Sequence, residues 1–230
     1  DAGATKVKIL WPSKDNLFYM EDNGCGMSYD DFINKWSNIG YERSNKKEVI
    51  ININNKQVKR VPYGKNGLGK FAVFCFGKKI KIETSKDGIE NVFIVNPNEK
   101  NTFNIDNIDS KDSNWHGTKI YIMDQKDIRY PENEIKSYIL QRYFTHPYFE
   151  ININGEIINL RSIPKNFIKL DKDIILPKIG KIHLTVLQKE EKDHTIRWSG
   201  ILWRIHQRAL GKCLSWKEAG FGDLVDGRTD

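Results

Sequence analysis

Glu21-Asp22-Asn23-Gly24-Cys25-Gly26-Met27 is the stretch on which the fold turns. It sets a carboxylate and two spaced glycines between a strand and the start of a helix. Residues 17–20 before it read as a strand, facing Thr5-Lys6-Val7-Lys8-Ile9-Leu10, whose alternation predicts another strand. After it, Ser28 with Asp31 three residues on is a capping signal, and Phe32, Ile33 and Trp36 fall at helical spacing. The spacing predicts a helix over about residues 28–38, ended by Gly40. A carboxylate in such a turn is most often a cap or turn former, so Asp22 gains functional weight only in combination with motifs further along the chain.

Residues 41–63 are polar and rich in Asn and Lys, with one apolar alternation at 49–53, and read as a mobile lid. Gly64-Lys65-Asn66-Gly67-Leu68-Gly69 then opens an apolar run over 71–76 that stops at Gly77, which predicts a buried helix entered from a glycine loop. Residues 79–84 and 91–95 read as strands around the turn Lys86-Asp87-Gly88. A polar stretch leads to Gly117, after which 118–123 alternates as a strand. Pro131 at a first helical position, Glu132 and Glu134 in the first turn, and Ile135, Tyr138, Ile139 and Tyr143 on one face predict a helix. Asn154-Gly155 joins 149–153 to 157–160 as a hairpin. Residues 161–180, with Pro164 and Pro177, read as a linker, and 181–187 and 195–205 as strands of a second, incomplete unit.

A chain of 230 residues can bury one full core and part of a second. Hydrophobic residues at 39% and charged residues at 29% describe a soluble globular protein, and no apolar run approaches the ~20 residues that span a bilayer. A membrane role is therefore unsupported. No secretory signal pattern opens the chain, an initiator Met is lacking, and the end falls in what reads as an unfinished loop, so a piece of a longer polypeptide is expected. Cys25, Cys75 and Cys213 form no short pair, which argues against a disulfide framework or structural zinc and for the cytoplasm. The net charge of +7 is a small excess, although Lys46, Lys47, Lys56, Lys59, Arg60, Lys65 and Lys70 cluster around the lid. Such a cluster could face phosphates or nucleic acid, or be a solvated loop.

Three features occur in one order: Asp-x-Gly-x-Gly at Asp22, Gly24 and Gly26; Gly-x-x-Gly-x-Gly at Gly64, Gly67 and Gly69; and Gly117-Thr118 opening a strand. Together they resemble the nucleotide-binding motifs of the GHKL superfamily, which includes gyrase B, the ninety-kilodalton heat-shock chaperones, histidine kinases and MutL. The resemblance covers about residues 1–160. It implies an α/β fold, a two-layer sandwich of a mixed β-sheet with helices on one face, followed from about 181 to 230 by the start of an α/β transducer-like domain. It also implies ATP as ligand and Mg²⁺ as its metal. Asp22 would accept a hydrogen bond from the adenine amine, where a guanine carbonyl would set two acceptors face to face. Gly24 and Gly26 would let the backbone pass beside the base and Met27 would supply an apolar wall. Gly64, Gly67 and Gly69, with Asn66 and Leu68 between them, would present N–H groups to the phosphates, and Lys65 and Lys70 are candidates to add charge. Thr118 would hydrogen-bond near the adenine. Asp1-Ala2 resembles the tail of the family's first motif, which would set the Mg²⁺-holding Asn and the catalytic Glu upstream of Asp1.

Within the superfamily, Trp36-Ser37-Asn38-Ile39-Gly40 and Gly67-Leu68-Gly69-Lys70-Phe71-Ala72 resemble the MORC and bacterial heat-shock-chaperone-like proteins more than the kinases. That likeness implies ATP-dependent homodimerisation and a DNA or protein client, with roles in genome defence. The segment from Gly200 to Arg228 resembles the start of a transducer, in which Arg208 or Arg228 could reach the γ-phosphate. Competing motifs are weaker. Gly64 to Lys70 opens like a Walker A loop, but Phe71 stands where Ser or Thr must hold the metal. Gly67-x-Gly69-x-x-Ala72 imitates a dinucleotide fingerprint without its tight strand-turn-helix start. A calcium loop at Asp22 would need oxygen ligands where Gly24 and Gly26 stand. A nucleic-acid-binding or scaffold module without a working nucleotide site is the alternative of a different class.

Overall fold

A computed structural model describes residues 2–12, 17–38, 49–53, 56–60, 67–98, 103–126, 130–143, 149–158, 167–189, 200–205, 208–209, 211, 213–215 and 217–221. The chain divides into two units, Asp1–Leu140 with His146–Ile158, and Gln141–Thr145 with Asn159–Asp230. Strands of the first unit, in chain order, are β1 (Lys6–Leu10), β2 (Tyr19–Asp22), β3 (Val49–Ile53), β4 (Lys56–Arg60), β5 (Ile80–Lys86), β6 (Ile89–Pro97), β7 (Phe103–Asp112), β8 (Gly117–Ile122), β9 (Glu150–Ile153) and β10 (Glu156–Ile158). Eight of them form one sheet in the order β10-β9-β1-β2-β8-β5-β6-β7, while β3 and β4 form a separate hairpin. Within the large sheet β1 and β9 run parallel and the other pairs antiparallel, so the sheet is mixed and the fold α/β, as expected.

Alternation along the strands separates two faces. Inward, Ile80, Ile82, Phe93, Val95, Ile122 and Ile153 are fully or almost fully buried. Outward, Lys8, Glu21, Lys119 and Glu83 stand directly across from one another on β1, β2, β8 and β5, so charge alternates in sign along the row. Tyr19 and Tyr121 donate to Glu21 and Glu83 at 2.7 and 3.0 Å. Opposite charges in register stabilise neighbouring strands, and this face needs no covering layer.

Helical segments cover the inner face. The stretch expected as a single helix over 28–38 is one α-turn, α1 (Tyr29–Asp31), running into a wider π-turn at Phe32–Trp36, closed by the Ser37 N–H on the Phe32 carbonyl at 2.9 Å. The wider turn lets Phe32 and Trp36 stack at 4.8 Å. Ser28 and Asp31 form the expected capping box. The apolar run expected as a fully buried helix is a 3₁₀ helix, Gly69–Cys75. With three residues per turn, Phe71 and Phe74 fall on one side and stack on Phe103 at 4.8 and 5.1 Å, while Ala72 and Cys75 remain exposed. The second helix, α2 (Glu132–Tyr143), lies where its capping pattern predicts. Ile135 and Ile139 pack on the core, but Tyr138 faces outward, and the side chain of Tyr143 lies outside the described residues.

Two strands of the first unit have no counterpart in the sequence pattern. β7 lies in the polar stretch before Gly117 and pairs only with β6, so just Phe103 and Ile105 need to be apolar. β4 pairs with the foreseen strand β3 inside the stretch read as a lid, whose residues 41–48, 54–55 and 61–66 lie outside the described residues. The hairpin packs on the segment before β1, with Ile51 buried and the Arg60 guanidinium donating to the Ala4 carbonyl.

Asp31 ties these pieces together. Its carboxylate accepts from Lys35 and from Lys86 on β5, and Lys35 first, then Lys86, hold it well below the ordinary carboxylate range. A depressed acid stabilises the fold above its unfolded pKa, and that contribution is lost as pH falls through the folded one. Asp31→Asn is therefore expected to lower thermal stability at neutral pH and to shrink the drop in melting temperature between about pH 6 and about pH 2; equal drops in both proteins, measured by circular dichroism, would refute it.

The second unit contains a long antiparallel hairpin, β11 (Phe167–Leu176) and β12 (Gly180–Lys189), and a short one, β13 (Arg204–Ile205) and β14 (Arg208–Ala209). β11 falls within the stretch 161–180, and β12 contains the strand expected at 181–187. Of the strand expected at 195–205, residues 195–199 lie outside the described residues.

Candidate nucleotide site

Asp22 is the last residue of β2. Thr118 on β8 stands directly across from it, and Thr84 on β5 stands across from Thr118. Residues in register share a face, so these three form one polar row. The adjoining row on the same three strands is Met20, Ile120 and Ile82. The apolar inner face thus ends in a carboxylate and two hydroxyls.

The loop beyond Asp22 is held by hydrogen bonds along its length. Asp22 Oδ1 accepts the Gly24 N–H at 2.8 Å, Cys25 N–H reaches the Ala2 carbonyl at 2.9 Å, and Met27 N–H reaches Thr84 Oγ1 at 2.9 Å. Asn23 Oδ1 accepts the N–H groups of Thr5 and Lys6 at 2.9 and 2.8 Å. His116 Nδ1 lies 2.8 Å from the Gly24 carbonyl, which can only accept, so Nδ1 carries the proton. Two glycines are required by geometry. Gly26 has φ +65°, and a Cβ there would lie 1.9 Å from the Ser85 carbonyl oxygen; Gly117 has φ +129°, and its Cβ would lie 2.1 Å from the Asp22 carbonyl oxygen. Both let the loop, β5 and β8 approach backbone to backbone.

Burial lifts the Asp22 carboxyl above its ordinary range, and the Gly24 N–H pulls it partly back. An acid raised by folding destabilises the protein at neutral pH, and stability increases as pH falls through the raised value. The fold therefore keeps a carboxylate that costs it stability where an apolar residue would extend the core, a pattern more common at sites of function than in packing.

Of the second glycine motif, Gly64, Lys65 and Asn66 lie outside the described residues. Gly67 has φ +62°, Leu68 is exposed, and a Cβ on Gly69 would meet nothing within 4 Å, so that side of the segment is open. Lys70 Nζ donates to the main-chain carbonyls of Lys35 and Asn38 at 2.6 and 3.3 Å. A run of rings joins this segment to the turn after the Asp22 loop: Phe93 on Phe32 at 3.8 Å, Phe32 on Trp36 at 4.8 Å, Trp36 against Phe71 at 5.7 Å, and Phe71 on Phe103 at 4.8 Å. The two motifs, some forty residues apart in sequence, are thus packed into one framework. Among the described residues no three His, Cys, Asp or Glu side chains converge to hold a metal, and no residue is assigned to Mg²⁺. A shallow depression lined by Phe74, Gly77, Lys78, Pro97, Asn98 and Asn104 lies at the other end of β5 and β6, away from Asp22.

Asn23, Thr84 and His116 belong to this site and carry no motif. Thr84 had one legible signal: it continues the inward alternation Ile80, Ile82 with a polar side chain and is fully buried.

A large mixed sheet with helical segments on one face is the α/β fold of the GHKL class. The family model described as histidine kinase-, DNA gyrase B-, and HSP90-like ATPase matches residues 1–127, and the chain belongs to that family. Similar proteins include the chaperone protein HtpG of Buchnera aphidicola, 29% identical over 53% of this chain and 19% of its own length. Others are a mitochondrial TNF receptor-associated protein 1 homolog of Dictyostelium discoideum, 25% identical over 67% of this chain and 21% of its own, and HtpG of a Sulfurovum species, 24% identical over 65% and 24%. The chain spans about a fifth of the length of these relatives. No described helix is long and apolar enough to cross a membrane.

Proposed function

We propose that residues 1–160 bind ATP with the adenine amine against Asp22 and Thr118, the base beside Gly24, Gly26 and Met27, and the phosphates over the segment from Gly64 to Lys70. Mg-ATP supplies the anhydride whose hydrolysis drives such a domain, and this chain's described residues bind and orient the nucleotide. The observation that carries the reading is the destabilising Asp22 carboxylate, kept in register with Thr118 where the apolar face ends. The backbone approaches at Gly26 and Gly117 hold the Asp22 loop against β5 and β8, which fixes the carboxylate beside Thr118. In the finer reading, ATP orders residues 41–66 over the phosphates and the closed state pairs two copies of the chain, acting on DNA or a protein in the cytoplasm as in MORC-like proteins. The hairpin of β3 and β4 lies between the two glycine motifs in sequence, which suits that role.

The test is an ATP titration of this chain beside Asp22→Asn, with thermal unfolding of both. Asparagine removes a charge-assisted acceptor, so affinity should fall by about thirtyfold, whereas melting temperature should stay level or rise because the buried charge is gone. Unchanged ATP affinity in the variant would sink the adenine reading.

A further inference from the structure

Thr84 Oγ1 touches three polar groups at once. It lies 2.9 Å from the Met27 N–H, 3.1 Å from the Gly117 carbonyl oxygen and 3.4 Å from Thr118 Oγ1. A hydroxyl has one proton and two lone pairs. The Met27 N–H can only donate and the Gly117 carbonyl can only accept, so the Thr84 proton is committed to Gly117 and one lone pair to Met27. What Thr84 has left for Thr118 is a lone pair. The Thr118 hydroxyl satisfies that contact by giving its own proton, which leaves its lone pairs for whatever lies beside Asp22.

We propose that Thr84 is a specificity-determining residue: by accepting the Thr118 proton, it makes Thr118 a second acceptor beside Asp22, so that the site takes a base carrying an amino group and rejects one carrying a carbonyl there. Thr84 acts through Thr118 and Met27, and is a positioning residue. Its position is fixed, because the side chain is fully buried and the Met27 contact anchors the Asp22 loop to β5. Two acceptors side by side fit the two protons of an adenine amine, directly or through one water, whereas a lone acceptor beside a rotatable hydroxyl could greet an amine or a carbonyl. The inference rests on the proposed nucleotide reading.

The experiment measures binding of ATP and of inosine triphosphate, in which a carbonyl replaces the amine, to the whole chain as wild type, Thr84→Val, Thr84→Ser and Thr118→Val. Wild type should prefer ATP, Thr84→Val should lower the ATP-to-inosine ratio by about tenfold, and Thr84→Ser should restore it. A purely structural Thr84 would weaken both nucleotides together and leave the ratio unmoved in Thr84→Val, which overturns the proposal while the adenine reading stands. A wild type that binds both nucleotides equally overturns both. Should Thr84→Val not fold, Thr118→Val decides: its loss should fall on ATP and spare inosine triphosphate, and a loss as large for the inosine nucleotide would show that Thr118 donates.

Discussion

Gly26→Ala is expected to lose about 3 kcal/mol or more of stability and all detectable ATP binding. Two costs combine. The residue sits at φ +65°, which a side chain raises by roughly 1 kcal/mol, and its Cβ would fall 1.9 Å from the Ser85 carbonyl oxygen. Backbone in a sheet interior cannot yield that distance alone. Ser85 is fully buried, and its hydroxyl is bonded to Ser113 at 3.0 Å and the Trp115 carbonyl at 2.6 Å, so the loop must move instead. Movement of the loop breaks the Met27 to Thr84 bond and shifts Asp22 from its place beside Thr118. Gly155→Ala supplies the control, because Gly155 also has positive φ, +90°, yet its Cβ would meet nothing within 4 Å. That variant should show only the strain of the backbone angle and bind ATP normally. Thermal unfolding and nucleotide titration of both variants separate strain from collision. Equal stability losses, with ATP binding kept in Gly26→Ala, would contradict the close packing of loop and strand.

The same collision shows why parts of the site are legible in sequence and parts are not. Gly24, Gly26 and Gly117 can be read because backbone approach tolerates one residue type, and Asp22 because it precedes two spaced glycines in fixed order with the later glycine motifs. Thr84 and His116 act through contacts 57 and 92 residues away in the chain, with Met27 and Gly24, and no local pattern signals such a partner. β5 and β8 follow from alternation because one face is core and the other solvent. β7 does not: it is an edge strand, and nearly all its side chains face water. The 3₁₀ and π turns at 69–75 and 32–36 escape prediction for a different reason. Apolar spacing of three or four fits any helix type, and the choice among them is made by ring stacking in the assembled core.

That stacking carries the second large effect. Phe32→Ala should cost about 3–5 kcal/mol, near the limit of what a domain of this size withstands. Phe32 is fully buried, lies face to face with Phe93 on the sheet at 3.8 Å and 4°, and continues the stack to Trp36. Its removal leaves a ring-sized cavity between the sheet and the π-turn, and Trp36, against which Phe71 packs, loses its stacking partner. ATP affinity should fall along with stability, because the segment carrying Gly67, Gly69 and Lys70 is seated through Trp36. Phe32→Leu fills most of the volume without the flat ring; it should cost roughly 1–2 kcal/mol and keep the fold. If the ring stack positions the phosphate segment, Phe32→Leu should also weaken ATP more than adenosine, whose binding uses only the Asp22 end. Calorimetric titration with the two ligands distinguishes this from general loosening, in which both affinities would drop by the same factor and the stack would be core packing alone.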